Sequence, residues 1–352
     1  MDKLYSLRNN VNSSVQTFVK NVWMYREGYK RFLPLTLLFA QLSVTAQSIE
    51  KFSIDSGGAN ASQSGIEVNY TIGEVHVSEL STASVNISEG FITKPFNVLI
   101  SPKVLLQGPL LNPENAGLMN DHLRTNVYIP TTSPYLDNAT CDVSVFNTDG
   151  NDAIVDWVWV ELRSYLDNTI LSNGKSALLQ RDGDVVTTDG ASNLMMSASP
   201  KSYYVVINHR NHLGAMSQNT IGLKESTTVV DFSDNDFITS GSNARVQLSS
   251  GEMALWSGDI TTTNTIKFSG TNNDTNTIKD MVLTDPANVL NFITFSSQGY
   301  LIHDIDLNGI ARFSGAGSDS NIIKDNVLAF PNNALGFITY TINGTVPETN
   351  NN

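Results

Sequence analysis

Short stretches in which apolar and polar residues alternate recur along most of this chain, separated by Gly, Asp and Asn. Residues 202–207 alternate in this way and are rich in β-branched and aromatic side chains, which is typical of β-strands. Residues 155–163 predict a long central strand, and residues 142–146 predict another. Residues 176–188 predict a hairpin around Asp182-Gly183. The pattern therefore predicts a mainly β fold.

The spacing of these signals divides the chain into segments. Four short strands within residues 47–98 predict a small N-terminal antiparallel sheet. Residues 99–255 combine strand signals with Gly and Asp turns and predict a central β-sandwich of jelly-roll or immunoglobulin-like type. Residues 256–345 form a duplicated module, and residues 346–352 are a polar tail that we expect to be disordered.

The first 46 residues have the features of an export leader. Lys30-Arg31 precede an apolar run over residues 32–44, and Val44-Thr-Ala46 supplies small residues at a cleavage position. The run is too short to span a bilayer, so we expect a signal peptide and no integral membrane protein. Met24 would give a leader of ordinary length and is the expected start. The mature protein is then exported, to the medium or the outer cell surface.

An internal duplication dominates the C-terminal quarter. Residues 259–295 align without a gap to residues 304–340, at an offset of 45, with 18 identical positions. The two copies, residues 256–300 and 301–345, each combine a polar loop with an amphipathic segment that predicts a helix. We expect a repeated loop–helix module.

The loop of the second copy has the ligand order of a calcium loop. The expected oxygen ligands are Asp304, Asp306, Asn308, the carbonyl of Ile310, and Asp319. Gly309 supplies the sharp turn, and Asp319 closes a loop that is four residues longer than the standard one. Hard oxygen donors favour Ca²⁺ over zinc. The alternative is a polar turn that binds no ion.

The first copy retains only part of this pattern. Asp259 and Asp274 are kept, but Thr261, Thr263 and Asn264 replace Asp306, Asn308 and Gly309 of the second copy. Fewer charged ligands weaken calcium binding. We expect this degenerate copy to bind calcium poorly or not at all.

The central region offers two weak candidates for a ligand-binding site. His209 and His212 could bind a metal, although no third ligand is evident, or their rings could hydrogen-bond and fix a loop at a strand end. Trp157 and Trp159 lie two residues apart and so face one side of the sheet. They could form a platform for a sugar, or they could fill the core.

The composition of the chain limits the range of possible functions. The net charge of −13, with no basic cluster, disfavours nucleic acid as a partner. The single Cys141 excludes an intrachain disulfide, and a buried thiol is expected. No nucleophile elbow, zinc-protease helix or phosphate loop is present. Glu161 and Asp182 are the carboxylates that a glycan hydrolase could use.

Several stretches carry a family resemblance: Lys103-Val-Leu-Leu-Gln-Gly108, Asp156-Trp-Val-Trp-Val-Glu-Leu-Arg163, Asp182-Gly183 and Tyr203-Tyr-Val-Val-Ile-Asn-His-Arg-Asn-His-Leu213. On these residues the chain resembles secreted hemagglutinin-like or adhesin-like proteins of Bacteroidetes. The resemblance implies a cell-surface binding protein whose ligand is a glycan or a surface protein. The duplicated module is similar in layout to a dockerin, which implies a cohesin-like partner.

Together these observations predict a non-catalytic, exported adhesion or binding protein with a calcium-stabilised C-terminal module. One alternative is a secreted glycan hydrolase, or a scaffold-docked component that uses the module as a dockerin. Another is a purely structural component of the cell surface or matrix.

Overall fold

A computed structural model of the chain describes residues 96–350 and four strands that precede them. The chain divides into two units, Met1–Lys94 and Pro95–Asn352. The expected leader, residues 1–46 with Met24, lies outside the described residues. Strands predominate over helices, and the predicted mainly β fold is confirmed.

The described part of the first unit consists of two hairpins. Strands β1 (Gly57–Gln63) and β2 (Ile66–Ile72) pair antiparallel, as do β3 (Ser78–Thr82) and β4 (Val85–Glu89). The predicted small antiparallel sheet is thus seen as two separate two-stranded ribbons.

The second unit contains the remaining elements. Its strands are β5 (Val98–Lys103), β6 (Leu105–Leu106), β7 (Ile154–Ser164), β8 (Leu171–Gln180), β9 (Val185–Val186), β10 (Leu194–Met196), β11 (Ser202–His209), β12 (His212–Met216), β13 (Ile221–Gly222), β14 (Thr228–Asp231), β15 (Arg245–Gln247), β16 (Met253–Leu255), β17 (Thr265–Lys267), β18 (Ser296–Gln298), β19 (Ile310–Arg312) and β20 (Thr341–Asn343). Its α-helices are α1 (His122–Thr125), α2 (Asp274–Thr284) and α3 (Asp319–Ala329).

Strand β7 lies at the centre of the largest sheet, as its sequence predicted. The strand order is β12-β11-β7-β8-β9, with β13 paired to the outer edge of β11, and every pair is antiparallel. The predicted hairpin around Asp182-Gly183 joins β8 to β9, and Gly183 has the positive φ of +96° that this turn requires. Trp157 and Leu162 of β7 are fully buried in the main core.

Two three-stranded sheets share this core, and they differ from the wholly antiparallel pairing of a jelly roll or immunoglobulin fold. Their orders are β10-β5-β14 and β15-β16-β6, and β14 and β16 run parallel to β5 and β6. The strand predicted at residues 142–146 is wrong: Val143–Asn147 forms a 3-10 helix. The Asp142 carboxylate accepts from the Ser144 N–H at 2.8 Å, and this local bond competes with strand pairing.

The two copies of the duplicated module exchange strands. Strand β17 of copy one pairs with β20 of copy two, and β18 of copy one pairs with β19 of copy two. Side-chain bonds follow the same exchange, since the Ser269 hydroxyl donates to the Ile338 carbonyl (2.9 Å) and the Ser314 hydroxyl to the Ile293 carbonyl (3.1 Å). Residues 259–343 therefore form one intertwined repeat unit with approximate two-fold symmetry.

Helix α3 of the repeat unit packs against the rest of the same chain. Its buried Asn326 amide donates to the Gln107 side-chain oxygen (3.0 Å) and to the Ser257 carbonyl (2.8 Å), and the Gln107 amide donates back to Asn326 (2.7 Å). Ile323 and Val327 of the same helix share a buried apolar cluster with Trp256 and Leu213, among others. One face of α3 is thus already covered.

We predict that Asn326→Ala destabilises the protein. The change leaves the buried Gln107 amide N–H and the Ser257 carbonyl without their Asn326 partner, which costs about 1–3 kcal/mol. Chemical denaturation measures the loss. Asn321→Ala, an exposed position on the same helix, is the control and should change the free energy of unfolding by less than about 0.5 kcal/mol. Equal losses in the two variants would contradict the role assigned to Asn326.

Candidate functional site

Three carboxylates converge in the loop of copy two. One oxygen each of Asp304, Asp306 and Asp319 lies within 4.8 Å of the others. Asp304 and Asp319 are buried, and Asp306 is partly exposed. Asp319 is the first residue of helix α3. It lies further along the chain than the loop, and the position of the helix start places it beside the loop. This is the one such acidic, histidine or cysteine cluster within the described part of the chain.

Backbone N–H groups hold two of these carboxylates in place. The bonds to Asp304 come from Asn308 (3.1 Å) and Gly309 (2.8 Å), and those to Asp319 come from Ile305 and Arg312 (2.7 Å each). Such bonds fix the orientation of a carboxylate before any ion is bound. Each oxygen of Asp304 and Asp319 retains further lone pairs that can accept a cation.

The other two predicted ligands, Asn308 and Ile310, are not part of this cluster of carboxylates. The Ile310 N–H donates to the Asn308 side-chain oxygen (2.7 Å), and the Asn308 amide nitrogen donates to Asp306 (2.9 Å). A half-turn of the amide would bring the Asn308 oxygen beside Asp306 instead. Ile310 opens strand β19 and pairs with Gln298. The structure therefore brings the three carboxylates together, and the Asn308 side chain lies next to Asp306.

The electrostatics of the cluster suit a cation. Burial, and then the charge of Asp306, raise the pKa of Asp304 to about 7. Burial also raises the pKa of Asp306, and burial together with Asp304 and Asp306 raises that of Asp319. Three carboxylates this close and this buried repel one another unless they take up protons or bind a cation. Their all-oxygen donor set fits Ca²⁺.

Copy one keeps the backbone of the loop but not its charge. The Asp259 carboxylate accepts from the Thr263 (3.1 Å) and Asn264 (3.0 Å) N–H groups, as Asp304 does in copy two. The Thr261 hydroxyl donates to Asp274 (3.0 Å), so a hydroxyl replaces the third carboxylate. Asn264 adopts a φ of +56°, which shows that the loop does not depend on the glycine it lacks.

We predict that charge can be restored to copy one. The double substitution Thr261→Asp and Thr263→Asn reproduces the side chains of copy two on a backbone that already has the required shape. Calorimetric titration with Ca²⁺ should then show two sites where the unchanged protein shows one. Thr261→Ala with Thr263→Ala is the control and should leave the number of sites unchanged. A single site in the Asp and Asn variant would refute the comparison.

We also predict a calcium-dependent response to pH. Because the pKa of Asp304 is about 7 in the folded protein, the calcium-free folded state binds more protons than the unfolded chain between about pH 4 and 7. Its free energy of unfolding should therefore fall as the pH rises through this range. At pH 7.5, where Asp304 has mostly lost its proton, added Ca²⁺ should offset the repulsion among the carboxylates and raise the melting temperature.

Matched variants test this response. Asp319→Asn should abolish the rise in melting temperature with Ca²⁺. Asp325→Asn, an exposed aspartate on the same helix, should retain it. If Ca²⁺ does not change the melting temperature of the unchanged protein, the assignment of this cluster as a calcium site is wrong.

The loop of copy two that carries these carboxylates lies against the sheet domain. The buried Asn211 amide donates to the backbone carbonyls of Asp304 (2.7 Å) and Ile302 (3.0 Å). Gly108 approaches so closely that a Cβ at this position would lie 2.1 Å from the Ile305 carbonyl oxygen. An ion in this loop would therefore stiffen the joint between the repeat unit and the large sheet.

A second polar cluster, centred on Asp156 of β7, joins the same parts of the molecule. The fully buried carboxylate contacts His209 (3.1 Å), the Arg210 guanidinium (2.9 Å) and the Tyr300 hydroxyl (2.6 Å). Burial acts to raise the pKa of Asp156, but the nearby Arg210 guanidinium and His209 lower it below its usual range. Arg210 also stacks on the Tyr300 ring at 4.2 Å. No local motif in the sequence marks this cluster, so the sequence did not predict it.

His209 and His212 are brought together, in an arrangement that uses their nitrogens for hydrogen bonds. Their Nδ1 atoms lie 3.0 Å apart, and His212 Nε2 accepts from the Gly108 N–H at 3.1 Å. His209 Nε2 faces Asp156. Burial lowers the pKa of both rings, so both are neutral near pH 7. These hydrogen bonds link the β11–β12 turn to Asp156 and to Gly108.

An open pocket of about 510 Å³ lies beside this cluster. Its floor is the face of the large sheet that carries Trp159, Glu161 and Asn208. The degenerate loop of copy one, residues 259–264, forms part of its wall, and residues 346–349 form another. The four weak candidates of the sequence separate here: Trp159, His209 and His212 line the pocket, whereas Trp157 is fully buried in the core.

Glu161 is fixed on the pocket floor by three donors. Its carboxylate accepts from the Trp159 indole (2.9 Å), the Arg163 guanidinium (2.7 Å) and the Asn208 amide (3.3 Å). Asp182, the other carboxylate considered for hydrolysis, lies in the β8–β9 turn and does not line the pocket. Asp259 does line it; burial, then Asp274, raise its pKa to about 7.

The polar tail was expected to be disordered, but residues 346–350 have defined contacts. The Arg163 guanidinium donates to the Pro347 carbonyl at 2.6 Å, and the Asn350 N–H donates to the Thr169 carbonyl at 2.9 Å. The Arg163 guanidinium near the end of β7 and the Thr169 carbonyl in the loop after β7 thus hold the tail across one side of the pocket. Cys141, expected to be buried, is half-buried, and burial raises its pKa.

Comparison of the chain with protein-family models, curated proteins and solved structures finds no match. Within the described residues, no helix has the length and apolar character needed to cross a membrane.

Proposed function

We propose that this chain is an exported, non-catalytic binding protein that acts in adhesion and is stabilised by one calcium ion. The observation that carries the proposal is the open pocket on the large sheet, whose single floor carboxylate, Glu161, is held by three donors. A residue held in this way can orient a ligand but is poorly placed to give up or take a proton. The ligand would be a glycan or a surface protein.

The calcium part of the proposal rests on the three converging carboxylates of copy two. They would hold the ion through Asp304, Asp306 and Asp319, with Asn308 beside them. Ca²⁺ would supply positive charge that offsets the repulsion among the buried carboxylates, and binding energy that adds to folding. Because the loop is bonded to Asn211 and faces Gly108, the ion would support the whole second unit.

The intertwined repeat unit argues against the dockerin alternative. Asn326, Ile323 and Val327 of α3 are covered by the same chain, so this face is not free for a cohesin-like partner. The strand exchange also ties the two copies into one body. We infer that the module serves as a structural support for the pocket.

The hydrolase alternative has one observation in its favour. Asp259, whose pKa is about 7, lines the pocket with Glu161, and a glycosidase needs a protonated carboxylic acid opposite a second carboxylate. However, Asp259 accepts two backbone N–H bonds and Glu161 is held by three donors. We therefore favour binding without turnover.

Adhesion is tested directly with beads coated with the full chain. Such beads should agglutinate erythrocytes or adhere to epithelial cells in Ca²⁺ buffer, and chelator should weaken adhesion by lowering the stability of the protein. Beads coated with the Asp325→Asn variant serve as the control and should behave like the unchanged protein.

Two results would contradict the proposed function. One is an absence of adhesion to every cell surface by beads whose protein is shown to be folded. The other is time-dependent cleavage of oligosaccharides by the full chain, lost in Asp259→Asn, which would establish the hydrolase instead.

A further inference from the structure

The pocket has an aromatic floor that is fixed in advance. The Trp159 indole lies directly over Gly174 of the neighbouring strand, where a Cβ would approach the ring to 2.3 Å. Only glycine leaves room for the ring to lie in this place. The Tyr135 ring stands beside it, with centroids 5.8 Å apart and planes tilted by 36°. The two rings form an apolar surface of defined shape.

Polar groups surround this surface at fixed positions. The Glu161 carboxylate lies between the Trp159 indole N–H and the Arg163 guanidinium. The Asn208 amide donates to the same Glu161 oxygen as the Trp159 indole. Glu161 and Arg163 neutralise each other within the protein, so the floor offers hydrogen-bond donors and acceptors without a net charge. An ionic ligand would gain little from this floor, whereas hydroxyl groups can both donate to it and accept from it.

The degenerate loop of copy one gives the pocket its outer wall. Asp259, Thr262 and Asn264 line the pocket, and Thr262 is exposed. The equivalent loop of copy two instead lies buried against Gly108 and Asn211. This wall of the pocket therefore presents the hydroxyl side chain of Thr262 and the amide side chain of Asn264.

From these features we propose that the pocket binds an uncharged sugar, as the end of a neutral oligosaccharide. A sugar ring has an apolar face that stacks on an aromatic side chain and an edge of hydroxyl groups that needs mixed donors and acceptors. The volume of about 510 Å³ is within the ordinary range for small-molecule sites. This inference rests on the proposed binding function and names its site and its ligand class.

The test uses the full chain in Ca²⁺ buffer on a printed array of neutral, sialylated and sulfated oligosaccharides and immobilised peptides. We expect retention on neutral oligosaccharides. The strongest neutral oligosaccharide on the array is then titrated by calorimetry. Trp159→Ala should weaken its binding at least about tenfold, because stacking and ring burial are lost.

Two further variants separate binding from folding. Thr262→Tyr changes an exposed wall residue, so the fold is expected to persist while the larger side chain fills the pocket and weakens binding. Tyr165→Ala removes an exposed aromatic residue just beyond β7 and outside the pocket, and it should bind like the unchanged protein. Melting temperatures of all three variants show whether each is folded.

The outcomes distinguish this inference from the proposed function. If beads adhere to cells but Thr262→Tyr and Trp159→Ala bind as well as the unchanged protein, the pocket assignment is wrong and the adhesion function stands. Binding only to sialylated or sulfated oligosaccharides, or only to peptides, overturns the neutral sugar. Failure of the folded protein to adhere to cells removes the function and the inference together.

Discussion

The buried ion pair between Asp156 and Arg210 is the interaction on which the second unit most depends. A carboxylate at the centre of a hydrophobic sheet is tolerated only when it is paired and its remaining lone pairs are hydrogen-bonded. His209 and Tyr300 supply those bonds. Since Asp156 lies on β7, Arg210 in the β11–β12 turn and Tyr300 in the repeat unit, one charge joins all three parts. Loss of either partner would leave an unpaired buried charge.

The pocket and the carboxylate loop of copy two are positioned by this same joint. Asn211, next to Arg210 in the chain, bonds the backbone of this loop, while His209 on the other side lines the pocket. A cation bound by the three carboxylates would therefore increase the rigidity of the turn that borders the pocket. Through this connection, the calcium ion that we propose would support the pocket without touching the proposed ligand.

Duplication followed by divergence explains the two loops of the repeat unit. Both keep an aspartate that accepts two backbone N–H bonds, so the shape of the loop does not depend on the metal ligands. What differs is charge: copy two has Asp306 where copy one has Thr261. The approximate two-fold symmetry places one loop against the sheet domain and the other at the pocket. The loop with three carboxylates therefore lies against the sheet domain, and the loop with hydroxyl and amide side chains lies at the pocket.

The sequence by itself determined the mainly β character, the central strand β7, the Asp-Gly hairpin, a helix in each copy and the three carboxylates of copy two. These features are local or periodic, so they can be read without knowing the fold. The tertiary structure alone decided the strand exchange, the Asp156 cluster, and the separation of Trp159 in the pocket from Trp157 in the core. It also placed the tail against Arg163 and replaced the strand predicted at residues 142–146 by a 3-10 helix. Apart from that local helix, these features join residues far apart in the chain, where hydrophobic periodicity carries no information about which partners meet.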